Sequence, residues 1–107
     1  MAPTSDEAAA EQPLRLVFPI CYQYLLDQFM LIHLHSYDVK ASVISESNGF
    51  TIVLRYGEGL TQSNKQLFEL KELENLSVES KLALFYKETA QICKKTMIAD
   101  YYKMMKP

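Results

Sequence analysis

The residues best suited to metal or acid–base chemistry are two histidines and a nearby carboxylate: His33, His35 and Asp38. On a strand, side chains two positions apart share a face and could ligate one metal ion, whereas on a helix they diverge by about 200°. A structural zinc site takes four ligands, usually in closely spaced pairs, and the sequence has no second pair. The histidines fall where the first predicted helix ends, so we interpret them as capping residues and expect neither metal nor cofactor.

Nucleophilic chemistry has equally little support in the sequence. Cys21 and Cys93 lie in apolar stretches, where burial raises the pKa of a thiol and makes it less reactive. The serines lack the glycine-flanked elbow of a hydrolase, and three glycines are too few for a phosphate-binding loop. We therefore expect a protein that is not an enzyme. Two distant cysteines also favour a reducing compartment, which predicts an intracellular, cytoplasmic protein with the nucleus as the alternative.

The composition predicts one globular domain without a strong overall charge. The chain has 107 residues, of which 49% are hydrophobic and 22% charged, and its formal net charge is −2. Residues 1–12 are rich in small and acidic residues and predict a disordered tail, which leaves 13–107 as the folded domain. The apolar stretch from Leu14 to Leu34 approaches the length of a membrane span. Because charged residues such as Asp27 interrupt it, we expect no membrane insertion.

The order of elements predicts an α+β fold. A first helix begins at Pro19, ends near Leu34 and is apolar on nearly all sides. An antiparallel hairpin follows, with Asn48-Gly49 as its turn. This turn would pair Val43 with Leu54, and the alternation places apolar side chains on one face of the sheet: Val43, Phe50, Ile52, Leu54 and Tyr56. Residues 61–64 are expected to form a polar loop. Residues 65–73 fit either a short helix or a third strand, and we expect the strand because an isolated hairpin is only marginally stable.

The sequence also predicts a long final helix that packs on one face of the sheet. Asn75 or Ser77 can cap its N-terminus. Its apolar residues recur every three or four positions and therefore form one stripe. They are Leu82, Tyr86, Ala90, Cys93, Met97, Tyr101 and Met104.

The apolar first helix leads to the main functional hypothesis. A small sheet and one other helix can hardly cover it on all sides, so the remainder is expected to bind a second copy of the chain or another protein. We predict a protein–protein interaction or adaptor module that uses the first helix and the apolar stripe of the last one. The predicted interface residues are Tyr22, Leu26, Phe29, Met30, Ile32, Met97, Tyr101 and Met104.

A nucleic-acid-associated protein is the alternative. Residues 87–107 carry five lysines against two carboxylates and interleave them with tyrosines, a composition that suits contacts to phosphates and bases. The solvent-exposed face of a long helix commonly has the same composition, and the absence of arginine argues against base-specific readout. The candidate residues are Lys87, Lys94, Lys95, Tyr102, Lys103 and Lys106.

Overall fold

The computed structural model describes residues 11–105, which form a four-stranded antiparallel sheet and four helices. The predicted α+β class is confirmed, including the long C-terminal helix in contact with the sheet. The elements in chain order are β1 (Glu11–Pro13), α1 (Leu14–Val17), α2 (Pro19–Met30), β2 (Lys40–Glu46), β3 (Gly49–Tyr56), β4 (Gln62–Phe68), α3 (Leu70–Leu73) and α4 (Lys81–Met105). Single turns of 3-10 helix lie at Ser36–Asp38 and Glu58–Leu60.

The sheet is a meander in the order β1-β2-β3-β4, and the predicted hairpin is its centre. Its register differs from the expected one by two residues, because Val43 pairs with Ile52 rather than with Leu54. The turn residues are therefore Ser47 and Asn48, and Gly49 is the first residue of β3. A Cβ atom on Gly49 would lie 2.3 Å from the carbonyl oxygen of Phe68, so the glycine is needed for close approach of β4 rather than for the turn.

The two edge strands of the sheet, β1 and β4, begin earlier in the chain than the sequence predicted. Glu11 and Gln12 pair with β2, so β1 includes the last two residues of the predicted tail. Residues 1–10 lie outside the described part of the chain, and the disordered tail stays a prediction. At the other edge, residues 65–73 were expected to form either a strand or a short helix. They contain the end of a strand followed by a short helix. The third predicted strand is β4, which begins at Gln62 in the expected polar loop, and α3 follows after Glu69.

The first long helix ends four residues earlier than expected. After Met30 the chain forms a Schellman turn, in which the N–H of Leu34 donates to the carbonyl of Phe29 at 3.0 Å. The N–H of His33 donates to the carbonyl of Met30 at 3.0 Å, and His33 has the left-handed φ of 67° that this motif requires. His33 thus ends the helix through its backbone, and its imidazole has no capping bond among the hydrogen bonds of the described residues.

The last helix begins later than the sequence suggested. Ser80 caps it, since its Oγ accepts the N–H of Ala83 at 3.0 Å. The two expected caps lie in the preceding turn, where Asn75 Oδ1 accepts the N–H of Ser77 at 3.2 Å. The helix then packs on the sheet beside β4, with Asn64 Nδ2 donating to Thr89 Oγ1 at 2.7 Å.

Both long helices cover the same face of the sheet and enclose the core. That face was predicted from the alternation of apolar residues along the hairpin, and Val43, Ile52, Leu54 and Tyr56 are all buried on it. The other face is mostly polar, and Arg55 on β3 forms an ion pair with Glu11 across β2. No helix within residues 11–105 is long and apolar enough to cross a membrane.

Candidate interaction surfaces

The predicted contact residues of α2 do not form one exposed face. Phe29 is 0% exposed and belongs to the core, so its assignment to an interface is wrong for the folded chain. Tyr22, Leu26 and Ile32 are half-buried. Only Met30 among these five is well exposed, at 61%. The middle of α2 is therefore a core element, and its apolar surplus lies near its ends.

The predicted residues of α4 divide at about the middle of the helix. Leu82, Tyr86, Ala90 and Cys93 are buried, as the stripe predicts. Met97 and Tyr101, farther along the same stripe, are 37% and 60% exposed. The side chain of Met104 lies outside the described part of the structure. Lys94 of α4 contacts the carbonyl oxygen of Ile32, just after the end of α2. The remaining residues of α4, which continue to Met105, span about 16 Å at ~1.5 Å per residue.

This second half of α4 borders a shallow cavity of about 340 Å³, which we call the α4 groove. It combines apolar and aromatic side chains with three carboxylates from three different segments. Its side chains include Tyr37, Asp38, Glu58, Leu60, Met97, Asp100 and Tyr101. Two of the predicted interface residues thus lie together in one cavity, beside an acidic rim that the sequence did not indicate.

Two tight turns position the loop side of the α4 groove. Asp38 Oδ2 accepts the N–H of His35 at 2.7 Å, which closes the turn at Ser36–Asp38. On the other loop, Gly57 and Leu60 both have positive φ angles, 82° and 56°. Such angles are uncommon for a side chain as large as leucine, so this loop holds Leu60 in a strained backbone conformation.

A second cavity, of about 440 Å³, lies at the opposite end of α2 and is lined almost entirely by apolar side chains. We call it the α2–α3 groove, and its lining includes Val17, Phe18, Pro19, Ile20, Leu70 and Leu76. Ile20 is 70% exposed there. The predicted interface residues do not include this groove, because they follow one side of the helix rather than its N-terminal end. The signal that indicated it was the lack of a wide polar face.

Most of the described candidate nucleic-acid residues are exposed, but one of them is held by a hydrogen bond within the fold. Lys87, Lys95, Tyr102 and Lys103 are exposed on α4. Lys94 is half-buried, and its Nζ donates to the carbonyl oxygen of Ile32 at 2.9 Å. It therefore supplies the positive charge at the C-terminal end of α2 that the histidines were expected to provide. Lys106 lies outside the described residues.

The histidines and the cysteines lie in different parts of the fold. The ring of His35 stacks on that of Tyr37, with centroids 5.2 Å apart. Within residues 11–105, no three side chains of the His, Cys, Asp and Glu types converge as metal ligands would. Both thiols are free and buried, and burial raises the pKa of Cys21 and raises that of Cys93 to about 11. A thiol with a raised pKa is largely protonated at neutral pH and is a poor nucleophile.

Comparison of the chain with protein-family models, with curated proteins and with solved structures gave no match. A four-stranded meander covered by two helices hosts many unrelated functions, so the fold by itself does not specify one.

Proposed function

We propose that the protein is a non-enzymatic interaction or adaptor module, which self-associates or binds another protein through α2 and the apolar stripe of α4. The observation that carries this proposal is the exposure of Met30, Met97 and Tyr101 on the same two helices whose other predicted apolar positions, such as Phe29 and Tyr86, are buried. Aromatic residues and methionine are enriched at the centres of protein interfaces. Fully burying one such side chain contributes about 1.5–3 kcal/mol, so a few of them suffice for a specific contact.

The absence of catalytic activity is part of the same proposal. The two thiols are the strongest nucleophiles that the sequence offers, and both are buried with raised pKa values. Free thiols also support an intracellular location, cytoplasmic or nuclear, because small proteins of oxidising compartments usually pair their cysteines.

The test is the solution mass measured by sedimentation over a wide range of protein concentration. Self-association predicts a mass that rises above 12.3 kDa and is largely insensitive to salt, because apolar burial drives the contact. Tyr101→Glu should restore the monomer. Leu84→Glu is the matched control, since Leu84 is an exposed residue on another face of α4.

A wild type that stays monomeric would refute self-association. The adaptor form of the proposal then requires that a partner retained by the wild-type chain is lost with Tyr101→Glu and kept with Leu84→Glu. Equal retention by both variants would exclude the α4 groove as the contact surface.

A second candidate function, association with nucleic acid, is favoured by the placement of three exposed side chains. Lys87, Lys95 and Tyr102 are eight and seven residues apart, so they lie within about 80° of one another around the helix axis. A phosphate-contacting surface of this kind predicts retention on a polyanion that falls steeply with salt. Lys87→Glu with Lys95→Glu should abolish the retention, and no retention at low salt would refute this function.

A further inference from the structure

A cavity larger than either groove lies next to the α4 groove and shares the side chain of Leu60 with it. It encloses about 700 Å³ and lies beside the β1 edge of the sheet, bordered by α1, the first residues of β2 and the end of β3. This volume is within the range of about 300–1,000 Å³ typical of small-molecule sites. Its lining is roughly half polar and half apolar, with Tyr22, Val39 and Leu60 among the apolar and aromatic side chains.

Three positive charges converge on this cavity from three different elements. Arg15 comes from α1, Lys40 from the start of β2 and Arg55 from β3. They are the only basic residues among positions 1–60, a part of the chain that carries seven carboxylates. Lysines on the solvent-exposed face of a single helix can follow from its periodicity alone, without any function. Helical periodicity does not explain why charges from one helix and two strands lie around the same cavity. Glu11 is the one carboxylate in the lining.

The polar side chains of the cavity are partly held in place already. The carboxylate of Glu11 accepts two hydrogen bonds from the guanidinium of Arg55, one of them at 3.2 Å. A bidentate pair fixes the plane of the guanidinium and leaves three of its five N–H groups free to donate. Neither Arg15 nor Lys40 has a carboxylate within 4.0 Å in the part of the chain that the structure describes. Among the described residues, the lining therefore carries three positive charges and one negative charge, a surplus of two.

We propose that this cavity binds a small organic phosphate, a phosphate monoester with a compact apolar or aromatic body. A phosphate monoester carries a charge near −2 at neutral pH, which matches the surplus of Arg15 and Lys40. Its three terminal oxygens accept hydrogen bonds from the free N–H groups of Arg55 and from the two other cations. The organic body packs against apolar and aromatic side chains of the lining, which include Tyr22 and Leu60.

The experiment is a titration of the full chain with phenyl phosphate, followed by amide chemical shifts in NMR and by calorimetry. Saturable binding is expected, with shifts centred on residues around Lys40. Arg15→Gln and Lys40→Gln should each weaken binding about tenfold, the usual loss for one charge-assisted hydrogen bond. Lys65→Gln is the matched control, because Lys65 is an exposed lysine of β4 outside this cavity, and it should leave the affinity unchanged.

Glu11→Gln gives an effect of the opposite sign. It removes the only carboxylate of the lining and frees Arg55, so phenyl phosphate should bind more tightly than to the wild type. Inorganic phosphate is the second probe, and it should bind more weakly than phenyl phosphate because it cannot contact Tyr22 and Leu60. Thermal unfolding of each variant establishes that the fold is retained.

Three outcomes would overturn the proposal. The first is an absence of saturable binding up to about 10 mM phenyl phosphate, well above the range of specific sites. The second is equal weakening by Lys40→Gln and Lys65→Gln, which would reduce the effect to overall charge. The third is equal affinity for the two probes, since the cavity would then attract counterions without recognising an organic ligand.

Discussion

Two adjacent residues of α2 provide a direct test of which side of this helix is buried. Phe29 is enclosed by the core, whereas Met30 projects into solvent. Truncating a buried phenylalanine to alanine removes its transfer free energy and leaves a cavity, at a cost of about 3–5 kcal/mol. Truncating an exposed side chain usually changes the free energy of unfolding by less than about 0.5 kcal/mol. We expect this contrast between Phe29→Ala and Met30→Ala.

The assay is urea unfolding followed by far-UV circular dichroism, with both variants at the same protein concentration as the wild type. With a slope of about 1.5 kcal/mol per M, a loss of about 4 kcal/mol lowers the urea midpoint by about 2.7 M. A domain of this size has a total stability of about 5–15 kcal/mol, so Phe29→Ala should still fold. Phe29→Leu, which leaves a smaller cavity, should give an intermediate midpoint.

Similar midpoints for Phe29→Ala and Met30→Ala would refute the assignment of the buried side of α2. The same reasoning decides how an interface on α2 can be tested by charge. A carboxylate at Phe29 would have to be buried without a partner and should unfold the chain. A carboxylate at Met30 remains in water, so any loss of binding that it causes reports on the surface.

Three further predictions concern the ion pair, the thiols and the helix cap. The hydrogen bond and charge of Arg55 lower the pKa of Glu11, so this pair stabilises the fold above the unfolded pKa of about 4.5. Its contribution disappears as the pH falls through the lower folded pKa. The difference in unfolding free energy between the wild type and Glu11→Gln, about 1 kcal/mol or less at neutral pH, should therefore shrink, and not grow, as the solution is acidified. Cys21 and Cys93 should react with a thiol reagent at mildly alkaline pH only as fast as the chain unfolds, and rapid labelling in the absence of denaturant would contradict their burial. Ser80→Ala should cost about 1 kcal/mol in thermal or urea unfolding because it removes the cap of α4, whereas Ser77→Ala, the control, should cost less.

The parts of the fold that the sequence predicted are those that depend on local periodicity. The alternation in Val43, Ile52 and Leu54 identified the inner face of the sheet, even though the pairing register was displaced by two residues. The spacing from Leu82 to Cys93 identified the buried stripe of α4. Both patterns are properties of neighbouring residues, so a single sequence contains them in full.

The parts that the sequence missed depend on distant residues. Nothing in Glu11–Pro13 resembles a strand, because its pairing depends on β2 and on the side chain of Arg55, 44 residues away. The place of Gly49 in the hairpin is set by the carbonyl of Phe68, which approaches from β4. The convergence of Arg15 and Lys40 on one cavity is likewise a tertiary property. The pattern of a single sequence does not predict such contacts, because each of them depends on how the elements pack together.

Exposed apolar residues at both ends of α2 explain why this helix is apolar on nearly all sides. A helix that only contributed to a core would need one apolar face, and the opposite face would be polar. In this fold the centre of α2 is buried around Phe29, while Ile20 borders the α2–α3 groove at one end and Met30 is exposed at the other. The apolar residues of the helix therefore serve the core and two separate surfaces. An adaptor needs two separate surfaces to join two partners, and this arrangement predicts that Ile20→Glu and Tyr101→Glu impair different contacts. Loss of the same contact in both variants would mean that one continuous surface is used.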